Sequence, residues 1–135
     1  MIVIVCVDDN NGMTFNHRRQ SKDKILREHI LQMAGENRIW MNAYSRKQFS
    51  ESETNRIVVD EDYPEKADRD DYCFVEDKDI SGYKEKIEKI ILFKWNRKYP
   101  ADTFFSFDFE QWRLEESEDF EGNSHEKITK EIYVK

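Results

Sequence analysis

The chain has 135 residues, 38% of them hydrophobic and 38% charged, with a formal net charge of −7. This length predicts a single domain over residues 1–135, with enough apolar material for a core. The acidic balance argues against general binding to nucleic acid or anionic membranes. No run approaches the roughly 20 apolar residues of a membrane span, and the apolar N-terminus is too short for a secretory signal, so we expect a cytoplasmic protein.

The first half of the chain alternates between strand and helix patterns. Residues 1–7 form a continuous apolar run, which is typical of a strand covered on both faces. Residues 8–12 end this strand with turn-forming side chains. Ser21 is the predicted N-cap of a helix over residues 22–33, and Gly35 is its predicted stop. The elements predicted next are a strand at 38–41, a short helix at 44–49, and strands at 55–59 and Tyr72–Val75.

The second half is predicted to be mainly strand. Residues 79–88 place apolar side chains on one helical face, which predicts a helix with an acidic start. A strand is predicted at 89–95. Phe105, Phe107 and Phe109 alternate as in a further strand with one buried face. Two final strands are predicted as an antiparallel pair at 110–120 and 127–134. Helices alternating with strands first, and antiparallel strands last, predict an α/β class with a mixed sheet.

Landmarks along most of the chain resemble one enzyme family. Residues 4–13, IVCVDDNNGM, are similar to the first strand and turn of dihydrofolate reductases. The C-terminal landmarks are more specific and occur in the family's order: EKIIL at 88–92, ADTFF at 101–105, QW at 111–112 and NSH at 123–125. The resemblance, to a divergent and shortened member, implies a three-layer α/β/α fold with a mixed central sheet and antiparallel C-terminal strands.

The resemblance also implies an NADPH site, and the chain departs from the family there. After the second strand, the family has a basic residue at the cofactor phosphates, where this chain has Ala43. The hydroxyl of the same segment is kept at Ser45. After the third strand, the family's small hydroxyl residues are replaced by Asp60 and Glu61. A phosphate beside such carboxylates is repelled by roughly 1 kcal/mol or more per close pair.

A third departure follows the strand Tyr72–Val75. The family has a glycine pair there, whose backbone approaches the cofactor pyrophosphate above a helix N-terminus. This chain has Glu76 and Asp77, which place side chains and the wrong sign of charge in the approach. Three phosphate contacts are lost together, so we expect no NADPH cofactor.

The substrate side of the predicted cleft is also altered. The family has a Trp and a pocket carboxylate in the segment that corresponds to residues 16–24, where no Trp remains. Ungapped matching puts Lys24 at the carboxylate position, and a shift of one residue puts Asp23 there. We interpret Asp23 first as a partner of the helix dipole. It is also the candidate proton-relay carboxylate if the chain is an enzyme.

Basic residues border the same predicted cleft. Arg18, Arg19 and Lys22 lie in the loop before the first helix, and the forked donors of arginine suit carboxylate or phosphate ligands. The simpler interpretation is a solvated basic surface on an acidic protein. We keep the three as candidate ligand contacts, with Ser45 as a secondary candidate.

Metal and nucleophilic chemistry have little support in the sequence. Cys6 and Cys73 lie in apolar runs, which predicts buried thiols in a reducing compartment rather than a disulfide or a metal site. The opening is also similar to that of short bacterial proteins labelled ribonuclease Z, but that enzyme needs an HxHxDH zinc motif, which this sequence lacks. Ser124 and His125 are adjacent, and neighbours on a strand point to opposite faces, so we expect no nucleophile–base pair.

Three functions remain open. The leading hypothesis is a non-catalytic protein with this fold, a pseudoenzyme that binds a small anion or a protein partner. The first alternative is a divergent NADPH-dependent pteridine or dihydrofolate reductase that uses Asp23. The second is a dimeric structural or interaction protein with the aromatic run 103–109 at its interface.

Overall fold

The structure is a computed structural model and describes residues 1–49 and 55–135. Its helices and strands follow one another over these ranges as a mixed α/β arrangement. In chain order they are β1 (Ile2–Val7), β2 (Gly12–Phe15), β3 (Arg18–Arg19), α1 (Lys24–Ala34), β4 (Ile39–Met41), α2 (Ala43–Gln48), β5 (Ile57–Val59), α3 (Tyr63–Lys66), β6 (Tyr72–Val75), β7 (Lys89–Lys94), β8 (Thr103–Phe104), β9 (Arg113–Phe120) and β10 (Ile128–Val134).

A seven-stranded mixed sheet in the order β5-β4-β6-β1-β7-β10-β9 forms the centre of the molecule. Strand β1 runs parallel to both of its neighbours, so that Val3 lies opposite Cys73 on β6 and Ile90 on β7. Strand β10 is antiparallel to β7 and β9, as predicted for the C-terminal pair. A smaller antiparallel sheet has the order β3-β2-β8. The carboxyl ends of β1, β4 and β6 lie at one edge, where open α/β sheets usually place their ligands.

The core lies on both faces of the central sheet, which explains the continuous apolar run in β1. Alternate residues of a strand point to opposite faces. Val3 and Val5 pack in one cluster with Tyr63 of α3, while Ile4 packs in the other cluster with Leu26 of α1. Helices therefore cover the sheet on both sides, and the predicted three-layer arrangement is confirmed. Within the described ranges, none of the helices is long and apolar enough to cross a membrane.

The first helix begins two residues later than predicted. Asp23, and not Ser21, is the N-cap of α1, because its carboxylate accepts hydrogen bonds from the backbone N–H groups of Ile25 and Leu26. Gly35 follows the helix with a φ of 58°, a conformation that glycine adopts without steric cost, so the predicted stop is confirmed.

The helix predicted over residues 79–88 is wrong. The segment holds only a 3-10 turn at Ser81–Tyr83, although Ile80 and Ile87 are buried as predicted. Gly82 lies in the middle of the segment and lowers its intrinsic helix propensity. The two isoleucines reach the core from an irregular backbone, so their helical spacing did not require a helix.

The strand predicted from Phe105, Phe107 and Phe109 is also wrong. Strand β8 ends at Phe104, and residues 105–109 have no regular structure. The rings pack against one another instead, with centroids 5.2 Å apart for Phe107 and Phe109, and Phe109 packs 4.4 Å from Tyr133 of β10. Ring packing places this segment, and one backbone hydrogen bond, from the Phe105 N–H to the Asn11 carbonyl at 2.8 Å, fixes its start.

Candidate ligand-binding cleft

Glu76, directly after β6, lies at the centre of the cleft with its carboxylate fully engaged by neighbouring side chains. Its Oε2 accepts hydrogen bonds from Arg19 Nε at 2.9 Å and Gln48 Nε2 at 3.2 Å. Its Oε1 accepts from Ser45 Oγ at 2.7 Å and Arg19 Nη2 at 3.1 Å. The side chain is only 9% exposed. The carboxylate thus forms a forked pair with an arginine and two further hydrogen bonds, the pattern of partners that a bound phosphate would use.

Two further carboxylates engage the start of α2. Asn42 is the N-cap of this helix, with its Oδ1 accepting from the Ser45 N–H at 2.8 Å. The amide group of Asn42 donates to Asp77 Oδ1 at 3.1 Å, and the backbone N–H of Ala43 donates to Glu61 Oε2 at 2.9 Å. The chain's own acidic side chains therefore occupy donors at this end of the cleft.

The remaining acidic residue of the sequence comparison, Asp60, lies outside this network. It pairs with Lys66 at 2.6 Å and accepts the backbone N–H of Asp62 at 2.8 Å. Its pKa is lowered, first by the hydrogen bond from Lys66. Asp60 therefore contacts residues at both ends of α3 and takes no part in the Glu76 network.

Arg19 is brought to the cleft by a tight turn and then held on several sides. Asn16 and His17 have φ values of 50° and 62°, which suits the two-residue turn between β2 and β3. The Arg19 guanidinium lies 4.3 Å from the centre of the Tyr44 ring and also donates to the Tyr44 carbonyl. Burial alone would lower the pKa of Arg19, but the pairing with Glu76 outweighs it and raises that pKa. Its charge is therefore balanced inside the protein.

Arg18 and Lys22 are not part of the Glu76 cluster. Arg18 is exposed and lines an open groove of about 480 Å³. The other residues of this groove are Phe15, Asn16, Arg19, Gln20, Tyr99 and Pro100. Lys22 is also exposed, and its carbonyl accepts a hydrogen bond from Ser124 Oγ. The structure thus divides the predicted basic cluster into one internally paired arginine, one groove arginine and one surface lysine.

Asp23 is 2% exposed, and its carboxylate is the most heavily hydrogen-bonded acidic group near the cleft among the described residues. Besides capping α1, its Oδ1 accepts the Asn123 N–H at 2.9 Å, and its Oδ2 accepts the Ser124 N–H at 2.9 Å. Oδ2 also lies 3.0 Å from Nδ1 of His125. Burial opposes ionisation of Asp23, but these hydrogen bonds together hold its pKa well below the ordinary 3.8. Asp23 therefore joins the first helix to the β9–β10 connection.

Substituting Gly122 with Ala should test how tightly this junction is packed. An added Cβ would lie 2.6 Å from Asp23 Oδ2 and 2.9 Å from Ile128 Cδ1. We expect the free energy of unfolding to fall by about 1–3 kcal/mol, the usual cost of overpacking. Urea unfolding measures this loss. Gly82→Ala is the matched control, because its Cβ would meet nothing within 4 Å; equal losses in both variants would contradict the prediction.

His125 lies in the NSH landmark, but the sequence predicted no chemical role for it. It is 4% exposed, stacks on Trp95 with ring centroids 4.5 Å apart, and its Nε2 lies 3.0 Å from Ser21 Oγ and 3.1 Å from Tyr99 Oη. The adjacent Ser124 also contacts it, with Oγ 3.1 Å from Nδ1, so the expectation that these two side chains diverge is wrong. The residues precede β10 in a turn, where the alternation rule for strands does not apply.

Neither cysteine has the environment of a reactive thiol. Both are free, with Cys6 half-buried and Cys73 buried. Burial raises the pKa of Cys6 far above its ordinary value and raises that of Cys73 to about 12. Within residues 1–49 and 55–135, no three His, Cys, Asp or Glu side chains form a group that could hold a metal ion.

The architecture is that of a dihydrofolate-reductase-like fold. Its features are the order of the strands in the sheet, the parallel N-terminal strands, the antiparallel C-terminal strands and the cleft beside β1 and β6. A solved structure of dihydrofolate reductase from Enterococcus faecalis, complexed with NADP(H) and RAB-propyl, superposes with a TM-score of 0.72. The match covers 98% of this chain and 94% of that chain at 9% sequence identity. No protein-family model and no curated protein sequence matches the chain. The resemblance found in the sequence is therefore confirmed for the fold, and at this identity for the fold alone.

Proposed function

We propose that this chain is a binding protein that is non-catalytic as a reductase, a single dihydrofolate-reductase-like domain that does not use NADPH and takes a small anionic ligand beside Arg18. The observation that carries the proposal is the engagement of Glu76 by Arg19, Ser45 and Gln48. The group that fills this part of the cleft is the protein's own carboxylate.

The energetics of displacement support this proposal. A cofactor phosphate at this position would have to separate Glu76 from Arg19, and removing one partner of a buried ion pair costs roughly 3–5 kcal/mol. Repulsion from a nearby carboxylate adds about 1–4 kcal/mol at 4 Å, depending on the local dielectric. Since about 1.4 kcal/mol corresponds to a tenfold change in affinity, the sum lowers phosphate affinity by more than about a thousandfold.

Arg18 is the better anchor for a ligand, because the pairing of Arg19 with Glu76 leaves Arg18 as the exposed guanidinium of the groove. Phe15 is 42% exposed and lines the same groove with Tyr99. Two aromatic rings beside a guanidinium suit a small carboxylate or phosphate that carries a flat apolar body. The two free cysteines are consistent with the reducing, cytoplasmic location that we include in the proposal.

Titration with NADPH, followed by its fluorescence, is the direct test. We expect no saturable binding below about millimolar concentration, as the displacement cost above requires. Micromolar binding would overturn the proposal. A thermal-shift screen with folates, nucleotides and small anions then searches for the ligand, because binding to the folded state alone raises the melting temperature. Arg18→Ala should remove a shift found in this screen, whereas Lys22→Ala, which changes an exposed lysine next to the cleft, should keep it.

An interface function is the second candidate, and it rests on one observation. Phe104 is 52% exposed on β8, next to β2, which carries the exposed Phe15. The rest of the aromatic run 103–109 contributes less, because Phe105 is 7% exposed and the rings of Phe107 and Phe109 pack against the core cluster. Light scattering after size exclusion separates the candidates, since a monomer at high concentration contradicts the dimer.

The reductase alternative has weaker support. A proton relay needs a carboxylate that can take up and release a proton near neutral pH. Both oxygens of Asp23 accept hydrogen bonds inside the protein, and its pKa is lowered rather than raised. We therefore assign Asp23 a role in the scaffold of the cleft.

A further inference from the structure

Three side chains that the proposed function does not use form a continuous hydrogen-bonded line. Asp23 Oδ2 lies 3.0 Å from His125 Nδ1, and His125 Nε2 lies 3.0 Å from Ser21 Oγ. A carboxylate, an imidazole and a hydroxyl in this order and at these distances form the constellation that activates a serine nucleophile. Such a constellation is recognised by its geometry and not by its positions in the sequence.

The surroundings hold the imidazole in the orientation that this chemistry needs. Asp23 faces Nδ1 and stays ionised, so the neutral ring carries its proton on Nδ1 and presents Nε2 as an acceptor. Trp95 stacks on one face of the ring at 4.5 Å. The Ser124 N–H also donates to Asp23 Oδ2 at 2.9 Å, which fixes the carboxylate from a second side.

Ser21 lies beside the Glu76 cluster described above. Ser21 is half-buried and lines a narrow cleft together with Cys6 at the carboxyl half of β1 and Glu76 after β6. This is the edge of the sheet at which α/β proteins place their ligands. The cleft has a volume of about 10 Å³, room for about one water molecule, so an acyl group has to reach Ser21 from the solvent side.

We propose that Ser21 is a nucleophile toward small acyl esters, with His125 as its general base and Asp23 as the positioning residue. The Ser21 Oγ–H proton passes to His125 Nε2 while Oγ forms a bond to the acyl carbon. The alcohol then leaves with the proton from Nε2 as its bond to the acyl carbon breaks. Water repeats the sequence, which releases the acid and restores Ser21, so that no oxidant or cofactor is needed. This activity is separate from ligand binding at Arg18.

Covalent labelling with methanesulfonyl fluoride, a small serine-directed reagent, tests the assignment on the whole protein. Intact-mass measurement should show one adduct, and peptide mapping should place it on Ser21. Ser21→Ala should abolish it, while the control Ser117→Ala, at an exposed position of β9, should leave it unchanged. Wild-type protein that stays unlabelled beside a labelled reference serine esterase would overturn the proposal.

Variants of the partners test the relay itself, with rates compared per folded molecule from circular dichroism. His125→Asn should slow labelling by at least about 100-fold, the contribution of a general base. Asp23→Asn keeps an acceptor for the helix cap and should also slow labelling, because it no longer holds Nδ1 protonated. A folded variant of either kind that is labelled at the wild-type rate would contradict the relay.

Tyr99 is the competing hydroxyl, because its Oη lies 3.1 Å from the same Nε2. Tyr99→Phe frees Nε2 for Ser21, so we expect labelling at the wild-type rate or faster. An adduct mapped to Tyr99, or its loss in Tyr99→Phe, would overturn the assignment to Ser21. Hydrolysis of a small acetate ester by the wild type, absent from Ser21→Ala, should accompany the labelling; ester hydrolysis that persists in Ser21→Ala would contradict turnover at this serine.

Discussion

Replacing Asp23 with Ala is expected to lower the free energy of unfolding by about 3–5 kcal/mol. The substitution removes the cap of α1, worth about 1 kcal/mol, which leaves the Leu26 N–H without its acceptor. It also removes the acceptor of three donors in the β9–β10 connection, those of Asn123, Ser124 and His125; at the lower end of about 1 kcal/mol each, the total is about 4 kcal/mol. Small domains have a total stability of about 5–15 kcal/mol, so the variant should be close to the limit of folding.

Urea unfolding measures the effect, and Asp70→Ala is the control. Asp70 is exposed in the turn before β6, where a substitution should change stability by no more than about 0.5 kcal/mol. The loss of stability in Asp23→Asn should lie between the losses in Asp23→Ala and Asp70→Ala. Asparagine still caps helices, but its NH₂ group would face the other donors. A loss below about 1 kcal/mol in Asp23→Ala would show that the junction with the β9–β10 connection does not depend on this carboxylate.

The stabilisation by Asp23 has a defined pH dependence. The pKa of Asp23 is lower in the folded protein than the ordinary 3.8 of an unfolded chain, because the hydrogen bonds favour its ionised form. The unfolded state therefore binds the proton first, and the contribution is fully present above about pH 3.8. It is lost as the pH falls through the lower pKa of the folded state. The stability difference between wild type and Asp23→Ala should shrink in acid, and growth of that difference would contradict the assignment.

Replacing Glu76 with Ala is expected to have two effects of opposite sign. Stability should fall by about 3 kcal/mol, the lower end of the range for breaking a buried pair, because Arg19 keeps 19% exposure. The same change frees the donors of Arg19, Ser45 and Gln48 for an external anion. Pyrophosphate should therefore raise the melting temperature of Glu76→Ala but not that of the wild type.

Two controls make this experiment specific. Glu115→Ala removes an exposed carboxylate of β9 and should show neither the loss of stability nor the gain of pyrophosphate binding. Adding Arg19→Ala to Glu76→Ala should abolish the gain, because the forked donor is then absent. Equal shifts with pyrophosphate in wild type and Glu76→Ala would place the anion site elsewhere, and would contradict the role of Glu76 as an internal substitute for phosphate.

Local patterns in the sequence were sufficient for the framework of the fold. The continuous apolar run of β1 predicts a strand buried on both faces, because such a run is stable only when neither face meets water. The antiparallel end of the sheet follows from two strand patterns separated by a turn. These predictions depend on residues close together in the chain, and the order of the family's landmarks connected them into one architecture.

Local patterns failed where a segment is placed by distant partners. Phe105, Phe107 and Phe109 alternate like a strand, yet their rings pack against the core cluster, and within residues 1–49 and 55–135 this segment is not part of a strand. The helix predicted at 79–88 is wrong for the same reason. Ile80 and Ile87 are buried as predicted, but the backbone between them forms only a 3-10 turn. Hydrophobic spacing predicts which side chains are buried, but it does not by itself determine the backbone conformation of the segment that carries them.

By itself, the sequence determined the fold class, the family resemblance and the presence of acidic residues where phosphate contacts are expected. Only the tertiary structure decided what those acids do. Glu76 meets Arg19 across 57 positions of sequence, and Asp23 meets His125 across 102. Charge and hydrogen bonding act through space, so a carboxylate that the sequence shows only as a repulsive group becomes, once folded, the partner that completes the cleft.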